Sequence, residues 1–453
     1  MNSSRCLLAL LLLCASGATA QDLAEADVVA APVPAPSEDG RSYIRIDGGS
    51  ASRLPLAVVP CKLLGGVEGD VSASMWAVLG ADLENSGYFT IVDPAAFLED
   101  ATAGIRIGEF SWDNWRTIGA VGLVKAACSR PEPGGPIMVE LHVFDVDAGV
   151  EMMDERITGG AVDSRRLAHR LANKVVEAFT GESGVFDTRI VAVANFGQGK
   201  EIYLFDYDGA NARPVSRNGS INLAPGWSPD GSRVSYTSYR DNNPDLWVTD
   251  LKTGRHSKVS AHPGINAGGA WSPDGKEVSL TLSKDGDSEI YAIEPDGSII
   301  RRLTRQYGID VSPTYSPDGS TIAFVSSRNG NPQIFVMDRD GGNARQLTRL
   351  GGHNVSPSFS PDGRRILFAG RDEGRFDIFV VGVDGTGLRR LTQSRGDDED
   401  PSWSPDGNHV LFSSSRDGAG KQLYIMTADG SAQTRVTDGK GSYSNPQWGP
   451  AAR

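Results

Sequence analysis

Five residues of related chemistry recur at a fixed interval. Asn222, Asn266, Asp310, Asn354 and Asp398 each stand five positions before an aromatic residue, and each is 44 residues from the next. Tyr443 takes the corresponding place in a sixth unit. Short amide and carboxylate side chains in such a series either bond the backbone of their own loops or offer a ring of hydrogen-bonding groups to a partner. A second series supplies charge: Arg240-Asp241, Lys284-Asp285, Arg328-Asn329, Arg371-Asp372 and Arg416-Asp417. The run Asp397-Asp398-Glu399-Asp400 places four carboxylates together, a composition used by calcium sites but more often by solvated loops. His142, His169, His256, His262, His353 and His409 show no His-Glu-x-x-His spacing and no Cys/His cluster, and neither a Gly-x-Ser-x-Gly elbow nor a Gly-Lys-Ser/Thr phosphate loop occurs. The expectation is recognition chemistry, with no catalytic residue, metal or cofactor.

The elements that must hold these residues are themselves repeated. Trp227, Trp271, Tyr315, Phe359 and Trp403 each open an aromatic-Ser-Pro-Asp-Gly motif, and Trp448-Gly449-Pro450 follows as a degenerate sixth copy. Pro presets φ at the first corner, Asp bonds local backbone and Gly accepts positive φ, so the motif reads as a turn. Each unit also carries an apolar-aromatic-apolar triplet, for example Ile202-Tyr203-Leu204 and Ile334-Phe335-Val336. A period near 44 with four short strands per unit is that of a propeller blade. The first unit, beginning at Arg189, lacks an inner strand, and the last supplies only one, at Trp448. The C-terminus is therefore expected to close a six-bladed ring, removing open sheet edges. In such blades the Asn/Asp series and the Arg turns share one face, at the mouth of the central channel. Asn222, Asn266, Asp310, Asn354, Asp398, Arg240 and Arg328 are accordingly expected to bind a partner there.

Ahead of the repeats the pattern is mixed. Residues 1–20 read as a secretory signal with an Ala-x-Ala cleavage site, and 21–41 as a flexible Ala/Pro leader. Residues 42–182 read as an α/β domain and 183–453 as the propeller. Leu54–Pro60, Ile118–Ala127 and Ile137–Val146 read as strands. The stripes Val71, Met75, Val78, Leu79, Leu83 and Leu167, Leu171, Val175, Val176, Phe179 read as helices, the second ending at Gly181. Cys61 and Cys128 remain after signal removal, and an exported compartment permits their pairing, though two buried thiols satisfy the sequence equally. The formal charge of −13 across 453 residues becomes −14 when Arg5 leaves with the signal. That balance disfavours nucleic acid and anionic lipid as partners, and no later run is apolar enough to insert in a membrane.

These residues resemble the TolB family, the periplasmic propeller component of the Tol–Pal system of Gram-negative bacteria. The resemblance runs from Tyr43 to the C-terminus. Its specific carriers are Ile44-Arg45-Ile46-Asp47-Gly48, LPLAVVP, ADLENSGYF (Ala81–Phe89) and FTGESGVFDTRIVAV (Phe179–Val193). It implies an α/β domain followed by an all-β six-bladed β-propeller, with periplasmic localisation. It further implies binding of the peptidoglycan-associated lipoprotein Pal at the channel mouth. The N-terminal strand Tyr43, Ile44, Arg45, Ile46 and Asp47 would engage the inner-membrane protein TolA, and the whole would support outer-membrane integrity and constriction at division. Here residues 21–41 precede that strand, whereas the family places it almost at the mature N-terminus. The competing expectation is a propeller-fold hydrolase or peptidase-related protein, which calls for non-repeated acid/base residues converging in the channel.

Overall fold

The computed structural model describes residues 53–100, 103–160, 163–418 and 420–451. The expected signal, leader and Tyr43–Asp47 strand lie outside them. The N-terminal part is a six-stranded sheet, built from β1 (Leu54–Val58), β2 (Lys62–Gly65), β3 (Phe89–Ile91), β4 (Gly122–Ser129), β5 (Ile137–Asp145) and β6 (Val150–Gly159). Its order is β3-β1-β4-β5-β6, with β2 pairing β4 further along the same edge as β1. Helix α1 (Gly69–Asn85) links β1 and β2 to β3, α2 (Trp112–Thr117) precedes β4, and α3 (Ser164–Thr180) follows β6.

Alternation along the strands divides this sheet into two faces. Leu56, Val58, Val124 and Ala126 join a core with Met75, Leu79 and Leu83 of α1 and Leu171, Val175 and Phe179 of α3. Ala57, Leu123 and Phe144 turn to the other side, against Trp115 of α2 and the neighbouring Phe97 and Phe110. The sequence reading of Ile118–Ala127 as one strand is corrected here. Ile118 caps α2, and Gly119 turns the chain at φ 74° before β4 begins at Gly122. Helix α3 ends as read, with Gly181 at φ 78°. Cys61 and Cys128 form a disulfide, their Cα atoms 5.9 Å apart, tying the β1–β2 junction to β4.

Six four-stranded antiparallel sheets follow. Their inner strands are Asn222–Trp227, Asn266–Trp271, Asp310–Tyr315, Asn354–Phe359, Asp398–Trp403 and Ser442–Trp448, taken below as blades one to six. Blade six is composite: Ser442–Trp448 pairs with Arg189–Asn195, which pairs with Lys200–Asp206. The C-terminal strand therefore closes the ring. The Ser-Pro-Asp-Gly segments are turns. In blade one, Ser228 Oγ donates to Asp230 Oδ1 (2.6 Å) and accepts from Arg233 N (2.9 Å), while Gly231 sits at φ 67°. Hydroxyl donors of Ser228 and Ser232 hold Asp230 down to about 2, and Ser272 does the same for Asp274.

The α/β part and the propeller belong to one compact unit. The seam lies on the turn side of blades five and six. Asn408 and His409, which follow the Ser404–Gly407 turn, donate to Tyr88 Oη (3.0 Å) and contact Asn85 O (3.1 Å). Trp448 Nε1 donates to Thr188 Oγ1 (2.7 Å), and one apolar core runs from α1 and α3 through Ile190 and Phe205 to Ile425 and Trp448. Among the described residues no α/β element packs on the opposite face, where the inner strands begin.

Candidate functional site

The inner strands of blades one to five each begin with a member of the Asn/Asp series, and the structure buries all five: Asn222, Asn266, Asp310, Asn354 and Asp398 are 0–1% exposed. Their side chains are used within the blades. Asn222 Nδ2 donates to Lys200 O (2.8 Å) and Glu201 (2.9 Å). Asn266 accepts from His262 N and Ser260 Oγ. Asn354 donates to Gln333 Oε1 and Leu350 O. Asp310 and Asp398 instead receive arginines from the turn between second and third strands of their own blade, Arg328 at 2.8 Å and Arg416 at 3.1 Å. The carboxylates thus stand where a guanidinium reaches back. Arg240, whose blade begins with Asn222, stacks on Trp247 at 3.3 Å from the ring centroid.

The expected placement is therefore corrected in one respect. The series lies at the mouth end but does not line the channel. That lining comes two positions later, from Ala224, Gly268, Ser312, Ser356, Asp400 and Asn445, one per inner strand. All six have positive φ, between 46° and 63°. Five of them precede a proline, namely Pro225, Pro313, Pro357, Pro401 and Pro446. The strand pairing skips a step at this point in every blade; in five of them proline has no N–H to give the ladder, and in blade two Gly268 takes the positive φ with no proline after it. The x-Pro two and three residues after Asn222, Asp310, Asn354 and Asp398 was visible in the sequence as a signal for this bulge. Among the described residues that line the channel, Asp400 is the only carboxylate. It accepts from Ser356 Oγ (3.0 Å) and Asn445 N (3.0 Å).

The exposed side chains of the mouth lie one position before the Asn/Asp series and in the adjoining loops. Ile221, Ile265 and Ile309 are 44%, 39% and 54% exposed, Tyr307 is 91% exposed, and Phe196 and Tyr239 are also exposed. They belong to blades six, one, two and three in succession, forming an apolar crescent. The corresponding positions in blades four and five are His353 and Asp397, beside Arg371, Asp372, Glu373, Arg416 and Asp417. The position before the Asn/Asp series is thus apolar in blades one to three and polar in blades four and five, while charged turns run round all five.

Two histidine–carboxylate clusters in the α/β part escaped sequence reasoning, because their members are far apart in the chain. Glu140, His142 and Asp154 lie together on β5 and β6, and Asp82, His169 and Asp208 lie together at the seam. In the first, both imidazole nitrogens of His142 already meet carboxylates, of Glu151 and Glu140. In the second, His169 Nδ1 donates to Asp82 Oδ2 (2.7 Å), and Asp82 Oδ1 accepts from Tyr207 Oη (2.5 Å) of blade six. Burial works against the charged imidazolium, but the Asp82 and Asp208 carboxylates outweigh it and hold His169 above the usual imidazole range.

Comparison with known proteins bears on this architecture directly. Residues 176–452 match the model of the TolB β-propeller domain, and residues 42–152 match that of the TolB amino-terminal domain. The chain belongs to the TolB family. Curated relatives include the "Tol-Pal system protein TolB" of Desulfosudis oleivorans, 40% identical over 47% of this chain and 49% of its own length. Another is that of Anaeromyxobacter sp. strain K, 40% identical over 50% and 51%. The chain thus spans about half the length of the curated relatives it matches. The crystal structure of TolB from Acinetobacter baumannii is similar over 88% of this chain and 97% of its own, with a TM-score of 0.78 at 27% identity. This TolB-family chain therefore shares a six-bladed propeller and a preceding α/β body with a solved member.

Proposed function

We propose that this TolB-family chain is a non-catalytic adaptor of the Tol–Pal system in the periplasm. In this reading it binds the peptidoglycan-associated lipoprotein Pal at the channel mouth and a TolA-like inner-membrane protein through Tyr43–Asp47. By doing so it supports outer-membrane integrity and constriction at division. The observation that carries the reading is the exposed apolar crescent at the mouth. Ile221, Ile265, Ile309 and Tyr307 among charged turns give a partner both buried area and a fixed orientation. The buried Asn/Asp series with Arg328 sets the loop geometry that displays these side chains, and Arg240 is exposed among them. The non-catalytic reading draws support from Asp400, whose carboxylate is engaged by Ser356 and Asn445 with no second acid among the channel-lining residues. An Ile265→Asp/Ile309→Asp variant is expected to bind purified lipoprotein at least tenfold more weakly in calorimetry while melting like the parent, since both side chains already face solvent. Unchanged affinity would overturn the mouth as the contact surface. Removal of residues 21–48 is expected to abolish capture of TolA; capture at parental affinity would refute the strand assignment.

A further inference from the structure

A cleft separate from the channel opens between the start of α3, the 186–189 connection and the outer strands of blade six. Three arginines from three different elements line it: Arg166 of α3, Arg189 at the start of its strand and Arg213 at the blade edge. Among the described residues none of the three has a carboxylate within ion-pair distance. Arg165 is paired to Asp208, Arg301 to Glu277 and Arg416 to Asp398. Arg189 is half-buried and lies over the Trp227 ring at 5.7 Å. Burial, Arg213 and Arg166 together push its guanidinium below the usual value, and Asp206 does not cancel them.

Two of the three acids of the cleft accept from amides. Asp187 accepts from Asn173 Nδ2 (2.8 Å), and Asp206 accepts from Asn211 Nδ2 (2.6 Å). Asp163 occupies the N-cap of α3 but makes no side-chain cap hydrogen bond. The first-turn N–H groups of a 17-residue helix therefore face the cleft without that acceptor. His169, 1% exposed, also lines the cleft, its Nε2 3.4 Å from Asp208 Oδ2.

We infer that this cleft is an anion site for a phosphate group, held by Arg166, Arg189 and Arg213 with the first turn of α3. Guanidinium forks match phosphate oxygens bidentately, and a helix start adds backbone donors aimed at negative charge. An exposed lysine cluster would attract an anion only diffusely. Here one cation is half-buried against Trp227, so a phosphate replaces repulsion among three guanidiniums with charge-assisted hydrogen bonds. The site joins the α/β part to blade six, so occupancy would brace the seam rather than the mouth.

The test is calorimetric titration of the full mature chain with inorganic phosphate and pyrophosphate, at ionic strength fixed with chloride. Saturable binding is expected, and Arg166→Ala/Arg213→Ala is expected to weaken it at least tenfold. Both side chains are exposed, so this variant should keep the parental melt. Arg255→Ala/Arg364→Ala removes the same charge from distant exposed positions and should bind like the parent. Equal loss in both variants, or no saturable heat in the parent, would overturn the site. A further arm measures co-sedimentation with phosphatidylglycerol vesicles against phosphatidylcholine vesicles. Capture by the former that the Arg166/Arg213 variant loses assigns the phosphate to a lipid headgroup, whereas phosphate binding without vesicle capture assigns it to a soluble phosphate.

Discussion

The propeller and the α/β body reach stability by opposite routes. In the propeller every device occurs five or six times: the Ser-Pro-Asp-Gly turn, the Asn/Asp at the start of the inner strand and the bulge at the channel. Each copy contacts mainly its neighbours, so the loss of one is local. In the α/β body each device occurs once. One disulfide pins β4, one α2 covers one face of the sheet, and the buried pair of His169 with Asp82 alone joins α1 to α3 among the described ion pairs and reaches blade six through Tyr207. Redundancy makes the propeller tolerant, and single-copy construction makes the body a place where one change is felt throughout.

The largest effect should come from the one propeller element that is not redundant. Ending the chain before Asn445 removes most of the strand that pairs with Arg189–Asn195 and exposes a sheet edge. Loss of cooperative melting and formation of oligomers on gel filtration are expected. A monomer with the parental melt would show that closure does not matter.

Next is the disulfide, which closes a loop of 67 residues. Cys61→Ala/Cys128→Ala is expected to cost about 4 kcal/mol. The denaturation profile should become biphasic as the body unfolds ahead of the propeller. A single shifted transition would mean that the shared core at the seam couples the two completely.

The seam pair comes third. Asp82→Asn leaves His169 buried beside Asp208 alone and is expected to cost about 3 kcal/mol. His169 has a folded pKa above its unfolded value, so its contribution is fully present below the unfolded pKa and is lost as pH rises through the raised value. The parent should therefore lose stability as pH rises above the usual imidazole range, and the slope should flatten in His169→Gln. Parallel pH profiles would rule out titration at this site.

The smallest effect is expected inside one repeat. Ser316 is buried, donates to Asp318 and accepts from Thr321 N. Ser316→Ala should cost about 1 kcal/mol, and the equivalent Ser360→Ala should cost the same within error. Unequal costs in otherwise matched turns would show that the blades are not energetically interchangeable. Within the Asn/Asp series, burial leads us to expect that Asn266→Ala lowers the melting temperature as well as any affinity at the mouth.

The sequence by itself determined whatever repeats or alternates. The 44-residue period gave six blades, the degenerate Trp448 copy placed the closing strand, and the apolar stripes gave α1 and α3 with the Gly181 stop. Such features are legible because each depends on spacing along one short segment. Less legible were β2, β3 and β6. Lys62–Gly65 is exposed throughout, and Val150–Gly159 is mostly so, so no strict apolar alternation marks them. Trp112 and Trp115 were obscured in another way, since a six-residue helix is too short for periodicity to show. Only the tertiary structure decided which polar residues are spent inside and which are offered outside. Asn222 and Ile221 are neighbours whose types suggest the reverse of what is found. Closure of the blades turns Asn222 toward Lys200 and Glu201 and leaves Ile221 to solvent. The same holds for Asp82, His169 and Tyr207, and for Arg166, Arg189 and Arg213. Burial and pairing depend on contacts between residues far apart in the chain, and no local pattern encodes those.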